Sequence, residues 1–419
     1  MLSSARLRVF ALFALGYFVS YVFRGLNIGF APFITHDLGL SAADLGLLTS
    51  LYFLGFAAAQ IPAGVLLDWY GPRRVNAGLL LVAAFGIAVF GAAPNLATMM
   101  VGRLLVGVGV SSCLGGAFKA LAQYFPARQL PLLNGLTMAI GGLGGVAVGS
   151  PLVWLLTQAD WRRICYGLAG FTVAVAVAVW SAAPETTNAA PEGGLVGQFR
   201  GTWQILRSRP FWKTACFSTM TQGVFYATQS LWIGAYLRDV SGLPTGAAAA
   251  LVSEVGIAMM AGCLSFGFLA KALERRGLGV PMFCGIGMMI FVVDQGLIIL
   301  QAPLPAALLW TAYGFFGGTG ILSYAVLAEQ VPATMIGRSN TTFTLVLFVL
   351  IFGIQIGIGA IVSLWPAQAG HYPPQAHQIA WGTLVVLQLA GAIWYFMPAR
   401  ASARWAWEDG RRSPASAEP

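Results

Sequence analysis

The sequence predicts an all-α membrane protein in which twelve transmembrane helices form two six-helix bundles. Three observations lead to this prediction: the composition, a series of apolar runs and an internal repeat. Of the 419 residues, 58% are hydrophobic and only 9% are charged, whereas ordinary soluble domains contain about 25% charged residues. A soluble fold of this size could not cover its surface with so few charges, so the chain is expected to lie in lipid.

Twelve apolar runs, each long enough to cross a bilayer as a helix, follow one another along the chain. A longer polar stretch divides the first six from the last six. The first six runs are 9–32, 44–67, 75–93, 97–123, 132–157 and 164–183. The last six are 211–236, 246–270, 279–300, 303–328, 338–364 and 377–397. They predict twelve spans, numbered first to twelfth in chain order.

These spans divide the chain into four predicted segments. Residues 1–183 form an N-terminal six-helix bundle, and residues 211–398 form a C-terminal one. The cytoplasmic linker 184–210 contains Phe199, Trp203 and Leu206 at helical spacing, which predicts a short amphipathic helix on the membrane surface. The polar tail 399–419 is expected to be disordered and cytoplasmic.

The basic residues predict the orientation of the spans. With both termini in the cytoplasm, eighteen of the 23 Lys and Arg residues fall on the inner side, as the positive-inside rule requires. Three fall on the outer side, and Arg24 and Arg103 lie within spans. We therefore expect a multi-pass plasma-membrane protein, with a bacterial inner membrane as its setting. The net charge of +9 is attributed to contact with anionic lipid, and no nucleic acid is expected as a partner.

A repeat relates the two halves of the chain. The segment from Gly64 to Arg74 carries glycines, one aspartate and a final pair of arginines. A related segment begins 203 residues later at Gly267 and ends at Arg275 and Arg276. Because six spans lie between the two copies, the repeats have parallel topology, which predicts a pseudo-two-fold axis along the membrane normal.

Three motifs occur in order between the second and fifth spans. They are Gly64, Asp68, Gly71, Arg73 and Arg74 after the second span, Arg103, Gly107 and Gly109 in the fourth, and the glycine-rich stretch 141–151 in the fifth. With these motifs, the sequence resembles the major facilitator superfamily over essentially its whole length. The resemblance implies two bundles around a central cavity lined by the first, fourth, seventh and tenth spans.

The first motif is interpreted as a conformational latch. Gly64 would let a neighbouring backbone approach closely, and Asp68 would accept hydrogen bonds from free amides at a facing helix N-terminus. The resemblance implies that this helix is the eleventh span and that the contact, flanked by Gly71, Arg73 and Arg74, latches the outward-open state. The alternative is that these residues form only a charged inner loop.

Arg24 is the predicted substrate anchor, and Tyr21 and Asn27 share its helical face. A guanidinium inside a span is costly without a role, and it offers bidentate hydrogen bonds to carboxylate, phosphate or nitrate. A first-span Tyr-x-x-Arg is also similar to organic-anion and organophosphate members of the resembled family. The alternative is an arginine paired with a backbone carbonyl or a structural acid. For Arg103 the resemblance implies either a structural link to the first span or proton coupling.

Further candidates lie in the second half. Gln222, Tyr226 and Gln229 form a stripe on the seventh span, which is predicted either to complete the pocket or to make interhelical hydrogen bonds. Glu254 in the eighth span is predicted to carry protons or to pair with Arg24, and the alternative is a protonated acid bonded to its own helix. Asp294 in the ninth span is a second candidate for proton coupling, with a packing role as its alternative.

The sequence therefore predicts a secondary active transporter that takes up a small organic anion together with protons. A drug or metabolite efflux antiporter is the first alternative, and a non-transporting membrane sensor or assembly protein is the second. No enzymatic activity, cofactor or metal is expected, because the five cysteines and three histidines do not cluster in the sequence. The expected partners are a small anionic substrate, protons and the lipid bilayer, and the chain is expected to be monomeric.

Overall fold

The structure is a computed structural model that describes residues 4–126, 129–182, 194–331, 335–368 and 371–398. Helices account for almost all of these residues, and the described part of the chain contains no strand. Helices are expected here because a helix satisfies its backbone groups internally, which lipid requires. The predicted tail 399–419 and the first part of the predicted linker, up to residue 193, lie outside the described residues.

The helices follow the predicted order along the chain. Those of the first half are Ser4–Leu38, Ala42–Ala92, Leu96–Val110, Cys113–Tyr124, Leu130–Ala147, Ser150–Gln158 and Trp161–Ala182. A linker helix follows at Gly194–Leu206. Those of the second half are Arg209–Ala227, Ile233–Asp239, Thr245–Glu274, Val280–Ile299, Ala306–Gly317, Ser323–Glu329, Ile336–Val362 and Pro374–Phe396.

Several spans are interrupted rather than continuous. Eight helices of the described chain are long and apolar enough to cross a membrane, and the fifth span adds a ninth as two segments bent by 45°. The second and third spans are one 51-residue helix that turns at Gly71, where φ is 77°. A π-helical segment, Thr228–Trp232, interrupts the seventh span, and a 3₁₀ turn, Thr319–Leu322, interrupts the tenth. The described chain therefore crosses the membrane twelve times, as predicted.

Glycines allow close packing inside the first half. A Cβ atom built at Gly107 would collide with the backbone of Tyr52, and one at Gly109 would collide with Ala83. Small residues of this kind allow helix backbones to approach in a membrane, where no hydrophobic effect drives helices together. The fourth-span motif therefore packs the fourth span against the second and third.

The two halves of the molecule meet at one end. We call the end where the first span begins, near Arg6 and Arg8, the basic end, and the end near Leu38 the opposite end. At the opposite end, Gly46 of the second span packs on the eleventh span, and a Cβ built at Gly46 would lie 2.7 Å from the Gln355 carbonyl oxygen. The contact leaves no room for a side chain, so the halves are closed on each other there.

Hydrogen bonds between the halves reinforce this contact. The first amides of a helix have no partner within the helix. The amide of Ala42 donates to the Tyr372 hydroxyl at 3.0 Å, and the amide of Ala43 donates to the Ser363 hydroxyl at 2.8 Å. The N-terminus of the second span is therefore capped in part by the second half of the molecule.

A candidate substrate cavity

A cavity of about 370 Å³ lies between the two halves, toward the basic end from their contact. Residues of the first, second, fourth, fifth, seventh, tenth and eleventh spans line it. The rings of Phe56 and Phe348, from opposite halves, stack with centroids 3.9 Å apart and close part of its floor. This volume falls in the range of sites that bind small molecules.

Arg24 projects into this cavity within a cage of aromatic rings. Its guanidinium carbon lies 4.4 Å from the ring centroid of Tyr21, 5.1 Å from that of Tyr226 and 5.5 Å from that of Phe348. Rings at this range attract a cation. The cage does not satisfy every hydrogen-bond donor of the guanidinium, because the buried Nε of Arg24 has no hydrogen-bond partner.

The cavity has no acidic residue to balance this charge. Among the described residues that line it, Arg24 is the one Lys or Arg, and there is no Asp or Glu. None of the ion pairs within the described part of the chain involves Arg24. A cation enclosed in a membrane protein normally has a counter-charge, so the arrangement favours an anionic ligand.

Two residues of the seventh-span stripe line the cavity with Arg24. Tyr226 contributes a ring to the aromatic cage. Gln222 donates from Nε2 to the Gly320 carbonyl at 2.9 Å, which ties the seventh span to the 3₁₀ turn of the tenth. Tyr21 is not among the lining residues, and its ring contacts the Arg24 guanidinium outside the cavity lining.

Two other predicted substrate contacts are not among the residues that line the cavity in this conformer, and their contact with substrate stays a prediction. Asn27 is fully buried and donates from Nδ2 to the Thr49 hydroxyl at 2.7 Å. Gln229 lies in the π-helical segment, with its side-chain nitrogen near Gly145. The stripe assumed 3.6 residues per turn, and the wider π turn rotates Gln229 out of line.

The two acidic candidates for proton coupling also lie outside the cavity lining. Glu254 accepts a hydrogen bond from the Thr311 hydroxyl of the tenth span and makes no ion pair with Arg24. Asp294 is buried in the ninth span, and its Oδ2 has no partner. Their role in proton coupling stays a prediction.

Arg103 is fully buried and joins the fourth span to the first. Its Nη1 donates to the Phe23 carbonyl at 2.8 Å, and its guanidinium carbon lies 5.4 Å from the Phe90 ring centroid. Because Phe23 immediately precedes Arg24, this bond fixes the backbone next to Arg24.

The latch motif makes its described contacts within the first half. Lys119 donates to Asp68 at 2.6 Å, and Arg73 donates from Nε to the Trp180 carbonyl at 2.6 Å. Gly71 is needed where the helix turns, since its φ of 77° favours glycine. In this conformer no described atom outside the adjoining helix backbone lies within 4 Å of a Cβ built at Gly64, so the close approach expected there stays a prediction. The eleventh-span contact of the latch remains a prediction.

No sequence pattern predicted the contacts that close the opposite end. Gln355 is fully buried, accepts a hydrogen bond from the Trp232 indole of the π-helical segment and donates to the Ala227 carbonyl just before that segment. The caps by Tyr372 and Ser363 join residues more than 300 positions apart. No local pattern marks such pairs.

Comparison with known proteins agrees with this architecture. The sequence profile of the Major Facilitator Superfamily matches residues 13–352, and the chain belongs to this family. It is 24% identical over 410 residues to the probable sulfoacetate transporter SauU of Cupriavidus necator, covering 85% of this chain and 93% of SauU. It is 22% identical to the niacin transporter NiaP of Acinetobacter baylyi, covering 88% of this chain and 82% of NiaP.

A solved structure has the same fold. It is a bacterial homolog to the human lysosomal transporter Spinster in an inward-facing and unoccupied conformation, with a TM-score of 0.75. Its sequence identity to this chain is 18%, and the alignment covers 95% of this chain and 97% of the other. The family match and the transporters among its relatives show that the chain is a secondary transporter of a small solute rather than an enzyme.

Proposed function

We propose that this protein takes up a small organic anion by alternating access, with Arg24 as the anchor for the anion. The observation that carries the proposal is the buried guanidinium of Arg24, which faces the central cavity without an acidic partner in the described chain. A guanidinium binds carboxylate, sulfonate or phosphate oxygens through paired hydrogen bonds. The named substrate of SauU, sulfoacetate, is an anion, which supports this substrate class.

The basic end is proposed to face the cytoplasm of a bacterial inner membrane, with both termini on that side. Positive loops are retained in the cytoplasm, and the arginines near the start of the first span lie at this end. On this assignment the cavity is on the cytoplasmic side and the opposite end is closed to the exterior. Alternating access then requires the two halves, proposed as residues 1–183 and 211–398, to rock about the cavity.

Coupling to protons is proposed at Asp294 or Glu254, because intramembrane acids mark proton pathways. An inward proton gradient should accelerate anion uptake into vesicles, and the acceleration should be absent in the variant of the coupling residue, Asp294→Asn or Glu254→Gln. Exchange of labelled anion at equilibrium should survive in that variant. An unchanged gradient response in both variants would exclude both residues as the coupling site.

The anion proposal is tested by thermal shift and by counterflow in proteoliposomes. Nicotinate, which carries one carboxylate, is expected to stabilise the wild-type protein, and Arg24→Gln is expected to abolish both stabilisation and flux. Arg163→Gln is the matched control, because it removes the same charge from an exposed position. Equal stabilisation of wild type and Arg24→Gln, or stabilisation by cations alone, would disprove the proposal.

A further inference from the structure

Three carboxamide side chains line the cavity without protein partners. They are Gln60 from the second span, Asn134 from the fifth and Asn340 from the eleventh. The side-chain oxygen of each is buried and has no hydrogen-bond partner. Their amide nitrogens take part in none of the side-chain hydrogen bonds of the described residues. Buried polar atoms without partners are costly, and native proteins keep few of them.

The three carboxamides come from both halves of the molecule. Gln60 and Asn134 belong to the first half, and Asn340 belongs to the second. Rotation of these terminal amide groups turns their unpaired oxygens toward the cavity, where a solute can complete their hydrogen bonds. Because each amide both donates and accepts, the matching ligand groups are hydroxyls, which do the same, rather than carboxylates, which only accept.

The carboxamides of the second and eleventh spans lie between the Arg24 cage and the basic end. Gln60 follows Phe56 by four residues on the second span, a rise of about 6 Å. Asn340 precedes Phe348 by eight residues on the eleventh span, a rise of about 12 Å. Phe56 and Phe348 stack on each other, and Phe348 faces Arg24. A ligand that extends from Arg24 toward the basic end therefore approaches these carboxamides with its other end.

Hydroxyl groups add to the polar character of this region. Thr341 lines the cavity beside Asn340. Tyr324 and Thr344 also line it, and their hydroxyls are 2.9 Å apart. The described lining offers no second Lys or Arg, so a second acid group on the ligand would find no cation there.

We propose that Gln60, Asn134 and Asn340 form a second subsite that binds the uncharged, hydroxylated part of a monovalent organic acid. The inference rests on the proposed function, since it takes Arg24 as the anchor of the acid group. The carboxamide subsite sets specificity among anions, whereas Arg24 sets the preference for anions as a class. The ligand class is thus a hydroxylated acid with one negative charge.

Two probes of equal chain length and equal charge test the subsite. Gluconate has five hydroxyls and hexanoate has none, and each carries one carboxylate. Purified wild-type protein is expected to bind gluconate about tenfold or more tightly than hexanoate, since the hydroxyls pair with otherwise unpaired amides. The double variant Gln60→Leu, Asn340→Leu is expected to lose this preference and to bind hexanoate within about twofold of wild type.

The controls separate the subsite from the anchor. Gln158→Leu removes an exposed carboxamide at the opposite end and should leave both affinities unchanged. Hexanoate binding by the double variant shows that the cavity is still folded. Glucarate has two carboxylates and is expected to bind more weakly than gluconate, and tighter binding of glucarate would overturn the monovalent assignment.

The remaining outcomes distinguish the two proposals. If gluconate and hexanoate bind equally to wild type, and both depend on Arg24, the subsite is disproved and the anion anchor stands. If the double variant keeps the preference for gluconate, the three carboxamides are not its source. If neither acid binds and Arg24→Gln has no effect on any anion, the proposed function itself fails.

Discussion

Arg24 and Asn27 lie one helical turn apart and have different surroundings. Both were predicted to contact substrate because they share one face of the first span. Arg24 faces the cavity within its aromatic cage, whereas Asn27 turns to the second span and donates to Thr49. Residues that share a helical face therefore need not share surroundings, and of these two only Arg24 lines the cavity.

The hydrogen bond between Asn27 and Thr49 should support the fold and not the binding of anions. Thr49→Val keeps the shape of the side chain and removes the acceptor, which leaves the buried amide of Asn27 unpaired. The variant is expected to be destabilised by about 1–3 kcal/mol. Its anion affinity should stay within about twofold of wild type. Thermal denaturation and ligand titration of the purified variant measure both quantities. A large loss of anion affinity would indicate that Asn27 belongs to the binding site.

At the scale of one residue, the sequence could single out Arg24 but not the other polar residues that line the cavity with it. Arg24 stands out because a charge inside an apolar run is rare and costly. Gln60, Asn134 and Asn340 do not stand out, because polar amides in spans commonly make interhelical hydrogen bonds. Their significance depends on the absence of such bonds in the described structure, which sequence alone does not reveal.

Among the elements, the π-helical segment Thr228–Trp232 of the seventh span is specified by contacts from another helix. Gln355 of the eleventh span donates from Nε2 to the Ala227 carbonyl at 2.9 Å and accepts from the Trp232 indole. A π turn widens the helix and leaves backbone groups without their usual partners. The eleventh span supplies one of these partners. The sequence of the seventh span alone therefore does not predict the π turn.

Removal of the hydrogen bonds that Gln355 makes to the seventh span should therefore destabilise the protein. Gln355→Leu leaves the Trp232 indole unpaired in a fully buried site, whereas the Ala227 carbonyl keeps its hydrogen bond from the Ser230 hydroxyl. A loss of about 1–3 kcal/mol is expected for the unpaired indole, which thermal denaturation in detergent would detect. Gln158→Leu, at an exposed site, serves as the control. A variant as stable as wild type would show that the π turn does not depend on Gln355.

The segment after the seventh span carries a second element-scale contact, formed by one aspartate and two histidines. Nδ1 of His371 and Nε2 of His377 each lie 2.8 Å from a different oxygen of Asp239. The Tyr372 amide also donates to Asp239 at 3.3 Å. Because the Tyr372 hydroxyl caps the second span, this cluster helps to hold the contact between the halves.

The stability that Asp239 contributes should depend on pH. Burial raises the pKa of Asp239, but hydrogen bonds from His377 and His371 lower it, and the resulting pKa lies below the ordinary value. A carboxyl with a lowered folded-state pKa contributes stability that is present above its unfolded pKa, about 3.9, and is lost as the pH falls through its folded pKa. Wild type is therefore expected to melt above Asp239→Asn at neutral pH. The difference in Tm should shrink below about pH 4, and a difference that stays constant down to about pH 3 would contradict this explanation.

For the whole molecule, the sequence could predict the number, order and family of the spans, because apolar length and motif spacing are local properties. It could not predict which end of the molecule is closed. That depends on contacts such as the one between Ala42 and Tyr372, which are 330 residues apart. A transporter must also populate a conformer open at the other end, so closing contacts have to be strong enough to seal and weak enough to break.

Gly359 lies at the centre of this closed end and should control the balance between conformers. A Cβ built at Gly359 would lie 2.7 Å from the Ala42 carbonyl oxygen, whereas one at Gly357, on the same helix, meets no atom within 4 Å. Gly359→Ala therefore disfavours the closed contact, and Gly357→Ala is its matched control. The first variant is expected to shift the population toward conformers open at the opposite end, and the second is expected to leave it unchanged.

Distances between spin labels measure this shift directly. Labels at Leu40 and Pro366 report on the opposite end, and labels at Tyr70 and Gly337 report on the basic end. In Gly359→Ala the distance distribution should lengthen for the first pair and shorten for the second, because the halves rock about the cavity between them. A lengthening at the opposite end without a shortening at the basic end would mean that the substitution loosens the contact locally. Rigid rocking of the two halves would then be the wrong description of how this transporter opens.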